Sequence, residues 1–183
     1  MIKRLLILTL LTVVMPLRSV AQQRAHAVDI STDVAMFLPA AMGLGVAIYE
    51  GDKEGCLQLG KTLAVSTAVT YILKYSVKKA RPDGEGFDAF PSNHCNFAFG
   101  GATFLQRRYG WKWGVPAYLV SAYVAWGRLY ANKHDIWDVL AGAAISVGSG
   151  FLFTTPFAKK HNVQLAPVVT SEGGCGVYFS MTL

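Results

Sequence analysis

Five stretches almost free of charge recur along the chain, and they constrain its fold more than any other feature. Val34 to Tyr49 carries no charge, Leu57 to Leu73 only Lys61, Ser92 to Gln106 only His94, and Trp113 to Gly127 none. Val139 to Ala158 is uncharged across all 20 residues. Segments this long and apolar fold as helices that bury their surface against one another or in lipid. Most are shorter than the ~20 residues of an ideal span, so length alone leaves a membrane bundle and an apolar soluble bundle both open. Only 15% of the residues are charged, against about 25% in an average soluble domain, which excludes a disordered chain. Small residues at Ala98 to Ala102 and Ala141 to Gly150 suit close helix packing. The expected fold is all-α, a membrane-embedded bundle of five to six helices.

Both ends of the chain read differently from this middle. Lys3 and Arg4 precede a 13-residue apolar run, Leu5 to Leu17, and Ser19-Val20-Ala21 supplies small residues at a cleavage site before Gln22. Residues 1–21 are therefore expected to be a signal peptide or, uncleaved, a first membrane helix. Residues 22–158 form the helical domain. Residues 159–183 form a tail in which Val163 to Val169 and Val177 to Leu183 flank a Gly-rich turn, a possible β-hairpin. The three cysteines, Cys56, Cys95 and Cys175, have no metal-type spacing and read as buried free thiols.

The net charge of +6 admits nucleic acid, an anionic membrane face or a phosphate substrate as partner, and only placement separates these. If the first segment directs export, Arg107, Arg108, Lys112, Lys159 and Lys160 fall on the cytoplasmic side with Lys3 and Arg4, as the positive-inside rule expects. The Glu50 to Glu54 loop, mildly acidic, adds no support. Tyr109, Trp111 and Trp113 lie at that end, and Trp126, Tyr130 and Trp137 at the other, as interfacial aromatic belts would.

The ionisable groups that remain lie in two outward loops. Lys74, Lys78 and Arg81 share one face if their helix continues to Pro82. Pro91 and Ser92 suit a helix N-terminus, where free N–H groups and the Ser92 hydroxyl make an anion cradle with His94 close by. His134 and Asp138 are four apart, which on a helix lets the carboxylate fix one imidazole nitrogen and leave the other as nucleophile or base. Each feature taken singly also fits a bland role: cations on a helix dipole, a cap, a stabilising pair.

Together the three segments resemble the type 2 phosphatidic acid phosphatase superfamily over about residues 34 to 158. Its first motif, Lys, six residues, Arg-Pro, is met by Lys74 and Arg81-Pro82. Its second, Pro-Ser-Gly-His, appears as Pro91-Ser92-Asn93-His94. Its third, Ser-Arg, five residues, His, three residues, Asp, is met by Arg128, His134 and Asp138, with Gly127 where Ser is usual. The resemblance implies a helical core whose three motifs converge on one phosphate pocket. Lys74, Arg81, Ser92, Asn93 and Arg128 would bind phosphate. His134, oriented by Asp138, would attack phosphorus, and His94 would protonate the leaving oxygen. Asn93 and Gly127 depart from the pattern without removing a group that makes or breaks bonds.

The scheme requires no metal or other cofactor, and the 11 acidic residues are too scattered for a two-metal site. The expected substrate is a lipid phosphate or pyrophosphate: undecaprenyl pyrophosphate, lipid A, phosphatidylglycerol phosphate or phosphatidic acid. The expected place is a bacterial inner membrane, in contact with membrane lipids, with the site facing the periplasm. A soluble periplasmic acid phosphatase, a vanadate haloperoxidase and a non-catalytic membrane scaffold with a relic site are the competing readings. No nucleic-acid motif appears.

Overall fold

The computed structural model describes residues 22–157, 163–169 and 175–181. The expected signal segment, residues 1–21, lies outside them, as do Lys159 and Lys160. Helix α1 runs over 22–35 and passes through a turn at 36–37 into α2, Leu38–Tyr49. Then follow α3 (Lys53–Val77), α4 (Asn93–Tyr109), α5 (Trp111–Tyr130) and α6 (Ile136–Phe153). Beyond the helices, β1 (Val163–Val169) and β2 (Cys175–Met181) pair antiparallel.

Helix α4 is the centre of the bundle, in contact with α2, α3, α5 and α6. Its small residues make this possible. A Cβ on Gly101 would stand 2.4 Å from the Ala40 nitrogen of α2, and one on Gly150 of α6 would stand 2.6 Å from Thr103 Cγ2. Phe104, Leu105 and Ala102 join Leu59 of α3 and Ala117 of α5 in the main core cluster.

The distribution of polarity separates the two bundle types that length left open. Thr62, Ser66, Thr70, Thr103, Ser121, Ser146 and Ser149 are buried, whereas Ile48, Leu57, Ile72, Leu119, Leu140 and Leu152 are exposed, the last at 80%. A soluble bundle would bury these apolar side chains; small hydroxyls inside and apolar side chains outside are the arrangement of helices in lipid. Three helices, Gln22–Tyr49, Lys53–Val77 and Ile136–Phe153, are long and apolar enough to cross a membrane, and the protein is a membrane protein on that basis. Trp111, Trp126 and Trp137 point outward rather than into the core.

The chain passes up and down, and apart from the turn at 36–37 each connection between helices falls at one of two ends. At one end lie the 78–92 and 131–135 loops with the start of α1. At the other lie the turn before Asp52, the α4–α5 turn at Gly110 and the chain after Phe153. The two ends differ in chemistry.

Candidate active site

The first motif begins on α3, but the helix does not continue to Pro82. It ends at Val77, with Lys78 in the left-handed conformation (φ 44°) as C-cap, so the common face expected for Lys74, Lys78 and Arg81 is not formed. Lys74 stays in the last turn, buried, and donates to the Asp88 carbonyl. Arg81 sits in the loop and grips Asp88 with a two-pronged contact, Nε at 2.7 Å and Nη2 at 2.9 Å. Burial works against the charge of Asp88, but the Arg81 fork outweighs it and holds the carboxyl below the usual carboxylate range. The turn itself is closed by Arg81 N–H to the Gly86 carbonyl and Ala89 N–H to the Lys79 carbonyl.

The second motif opens α4 as its sequence suggests, with Ser92 as N-cap. The Ser92 hydroxyl makes no capping bond, however, and is buried without a partner, as is the Asn93 side-chain oxygen. The N–H groups of the first turn have no carbonyl one turn back to accept them. Hydroxyl and amides together form an anion cradle of neutral donors. Asn93 lies in the helix with φ below zero, so its replacement of Gly carries no backbone cost. His94, one residue on, meets Asp33 of α1 at 2.7 Å through Nε2.

The third motif spans the end of α5 and the start of α6. Arg128 is in the last turn of α5, 3% exposed, and its Nη1 donates to Asp29 at 2.5 Å and Asp33 at 3.3 Å. His134 precedes α6, whose N-cap is Asp135, so the i,i+4 pairing with Asp138 on one helix is not what the fold provides. The expected Asp138 contact is displaced: its Oδ2 lies 3.7 Å from His134 Nδ1, beyond a hydrogen bond, while the Ala89 carbonyl accepts from Nδ1 at 2.8 Å. A carbonyl can only accept, so Nδ1 carries the proton and Nε2 keeps its lone pair. The orienting role assigned to Asp138 thus falls to a backbone oxygen of the 78–92 loop. Burial, then the charges of Arg128 and Lys74, push the His134 imidazole down to about 3, which keeps it neutral and nucleophilic at ordinary pH.

Asp138 is buried and held elsewhere. Lys79 donates to it at 2.7 Å and to Asp135 at 2.5 Å, and the Asp135 N–H closes a capping box at 3.0 Å. The Ser92 N–H donates to the Asp138 carbonyl, and a Cβ on Gly142 would strike the Ser92 carbonyl at 2.4 Å. The first turn of α6 is therefore clamped onto the start of α4, which brings the second and third motifs together. Lys133 ties the same loops further out through Asp83 at 2.9 Å and Glu85 at 2.6 Å.

Lys74, Arg81, Ser92, Asn93, His94, Arg128 and His134 thus meet at one end of the bundle, near enough that Arg128 and Lys74 act on His134 and Arg81 and Arg128 act on Lys74. Three cations and a row of N–H groups facing a neutral imidazole can hold a phosphoryl group and receive the charge of its displacement. Sequence reasoning missed Lys79, which the Lys78-Lys79 pair inside the first motif could have flagged, and Asp29 and Asp33, a pair of acids four apart at the edge of an apolar run. Among the described residues, no three or more His, Cys, Asp or Glu side chains are grouped as a metal ion would need.

Comparison with known proteins shows the family and the fold. The PAP2 superfamily profile matches residues 55–161. A lipid A 4'-phosphatase of Helicobacter pylori is 31% identical over 179 residues, covering 91% of this chain and 89% of its own. The crystal structure of Aquifex aeolicus LpxE superposes with a TM-score of 0.58 at 22% identity, covering 68% of this chain and 83% of that one. A transmembrane PAP2-type phosphatidylglycerolphosphate phosphatase of Bacillus subtilis gives 0.54 at 20% identity, with 75% and 84% covered. These structures share the helical fold.

Proposed function

Because this chain belongs to the PAP2 superfamily, and is a lipid phosphatase of that type, we propose that it removes a phosphate from lipid A at the periplasmic face of the inner membrane. The observation that carries the chemistry is the pinned His134: Nδ1–H on the Ala89 carbonyl and a free Nε2 beside Lys74 and Arg128. The choice of lipid A over other lipid phosphates is supported by the H. pylori relative, whose similarity runs nearly end to end. The choice of face rests on the export expected of residues 1–21 and on Arg107 and Lys112 at the opposite end of the bundle, where the positive-inside rule looks for cations.

In the proposed reaction Lys74, Arg81 and Arg128 neutralise the non-bridging oxygens, and the Ser92 cradle receives one of them. The Nε2 lone pair attacks phosphorus as the P–O bond to the sugar breaks, and His94 gives its proton to the departing oxygen. Water then attacks the phosphohistidine, His94 takes the water's proton, the N–P bond breaks and phosphate leaves. Lys79 and Asp138 hold the loops that carry these groups.

The full chain in detergent micelles, assayed with chelator present on lipid A, phosphatidylglycerol phosphate, phosphatidic acid and undecaprenyl pyrophosphate, tests this reading. Phosphate release from lipid A with the highest kcat/KM is expected, and alkaline detergent quench of a labelled turnover should trap an acid-labile, base-stable phosphoprotein. A preference for another lipid overturns the substrate, and a quench that traps nothing at any time point under rate-limiting hydrolysis overturns the intermediate.

A further inference from the structure

Helix α1 lies outside the region the family profile matches, residues 55–161, yet its side chains reach two groups of the proposed machinery. Asp33 Oδ1 is 2.7 Å from His94 Nε2 and 3.3 Å from Arg128 Nη1. Asp29 Oδ1 accepts from the same Nη1 at 2.5 Å, and Thr32 Oγ1 lies 3.4 Å from it. All these contacts fall on one corner of the guanidinium. Its Nε is buried without any partner, so the opposite edge of the fork is unused and faces away from α1.

The closeness of α1 has a cause in the third motif. A Cβ on Gly127 would stand 2.4 Å from Thr32 Cγ2 and 3.1 Å from Val28 Cγ1. No L side chain fits there while α1 holds its place, so the Ser usual in the family is excluded by the same contact that brings the two carboxylates in.

We propose that Asp29 and Asp33 of α1 are positioning residues of the active site, Asp29 for Arg128 and Asp33 for His94, and that Gly127 is the residue that admits them. Asp29 fixes Nη1, so Arg128 presents Nε and Nη2 to phosphate as a bidentate pair. Asp33 accepts the Nε2–H of His94 and stabilises the imidazolium, which leaves Nδ1–H as the proton given to the departing oxygen. The charged groups that act on His94 are Asp33 and Asp29 of α1 and Arg128 of α5, and the His134 ring feels His94 in turn.

This inference rests on the phosphatase reading, and the test keeps the two apart by using a soluble probe, p-nitrophenyl phosphate, with inorganic vanadate as inhibitor, on the full chain in micelles. Asp33→Asn is expected to lower kcat roughly tenfold to a hundredfold with KM little changed. The alkaline limb of its pH profile moves to lower pH, because a proton donor without its anion loses its proton earlier, and Asp33→Glu restores part of the rate. Asp29→Asn raises KM and weakens vanadate inhibition about tenfold. Gly127→Ser, though it restores the family's residue, reproduces both losses. Asp33 is more than half exposed, so its replacement leaves folding intact. Unchanged kcat and pH profile in Asp33→Asn overturn the proposal. A lower KM and tighter vanadate inhibition in that variant also overturn it, since they mark Asp33 as an occupant of the phosphate site rather than a support. A wild-type protein inert toward both the soluble and the lipid probes overturns the phosphatase reading and this inference together.

Discussion

The two ends of the bundle each gather an Arg from the end of a helix and an Asp from another, and they use them in opposite ways. At the end away from the site, Arg108 and Asp52 form a closed unit: Nε and Nη2 of Arg108 meet the carboxylate at 2.7 and 2.6 Å. The carboxylate also accepts from Tyr109 Oη at 2.8 Å and Gly55 N–H at 2.8 Å, and Nη1 of Arg108 donates to the Thr155 carbonyl at 2.9 Å. No capacity is left for a ligand. Arg108, expected among the basic residues of the cytoplasmic side, is turned inward and buried. At the site end, Arg128 has one corner held and an Nε without a partner, Ser92 has an idle hydroxyl, and His134 has a free nitrogen. Buried polar groups are normally satisfied, so a saturated network marks a structural joint and an incomplete one marks a place kept for substrate.

The largest effect should come from breaking the incomplete end. His134→Ala is expected to reduce phosphate release by roughly 10³-fold or more, because the bond-forming atom is gone. Its stability should not fall in step. The imidazole is held neutral at about 3 against an ordinary 6.5, so the unfolded chain binds a proton more readily than the folded one. That contribution costs stability as pH drops below about 6.5, and the variant, relieved of it, gains on the wild type between pH 6.5 and pH 4 in thermal unfolding. A variant that lost stability at every pH would place His134 among the joints instead.

Breaking the saturated end should do the reverse. Asp52→Asn leaves Arg108 buried beside a neutral amide and is expected to cost about 3–5 kcal/mol of stability, with kcat retained in the protein that stays folded. The Arg108 hydrogen bonds hold the Asp52 carboxyl at about 2, below its ordinary 3.8. A depressed carboxyl stabilises above the unfolded value and loses that contribution as pH falls through the folded one. The gap between wild type and Asp52→Asn should therefore narrow by about 2 kcal/mol from pH 5 to pH 2. A constant gap would mean the pair is not what holds this end.

Much of this contrast was legible in the sequence, and the part that was not has a physical reason. Uncharged runs marked the helices, and the spacing of Lys74, Arg81, His94, Arg128 and His134 marked one site, because those residues lie within a turn or two of a helix end. What spacing cannot carry is contact across the fold. Arg107 and Arg108 look alike in sequence, yet only Arg108 faces Asp52, 56 residues away. The His134–Asp138 spacing suggested a direct bond, but the helix starts one residue too late for it, and the Ala89 carbonyl arrives from a loop 45 residues distant. Asp29 and Asp33 were invisible for the same reason, since nothing near them in the chain names Arg128 as their partner.

Lys79 tests how far the site end tolerates a change outside the phosphate clamp. It bridges Asp135 and Asp138, and Asp138 is fully buried with one further acceptor contact, to the Asp135 N–H. Lys79→Met removes the counter-charge and loosens the first turn of α6 against Ser92. A fall in kcat of about tenfold is expected, with loss of stability smaller than at Asp52, because Lys79 is partly in solvent and water can replace part of its contact. Equal loss at both positions in denaturant titration would erase the distinction between the two ends.

The smallest effect belongs to Lys133, whose partners Asp83 and Glu85 lie on the rim of the same loops. Lys133 and Asp83 are only partly exposed, but Glu85 is 69% exposed, and a pair at the solvent rim of this kind contributes about 0–1 kcal/mol. Lys133→Ala should shift stability by no more than that and leave kcat unchanged. These residues line a cleft of about 510 Å³ with Gln22, His26 and Asp29, so a change in KM for lipid A without one for p-nitrophenyl phosphate would show that the larger headgroup rests there. If both KM values stay fixed while salt alone abolishes the small stability difference, Lys133 is a screened surface contact, and the incomplete end of the molecule stops at Arg81.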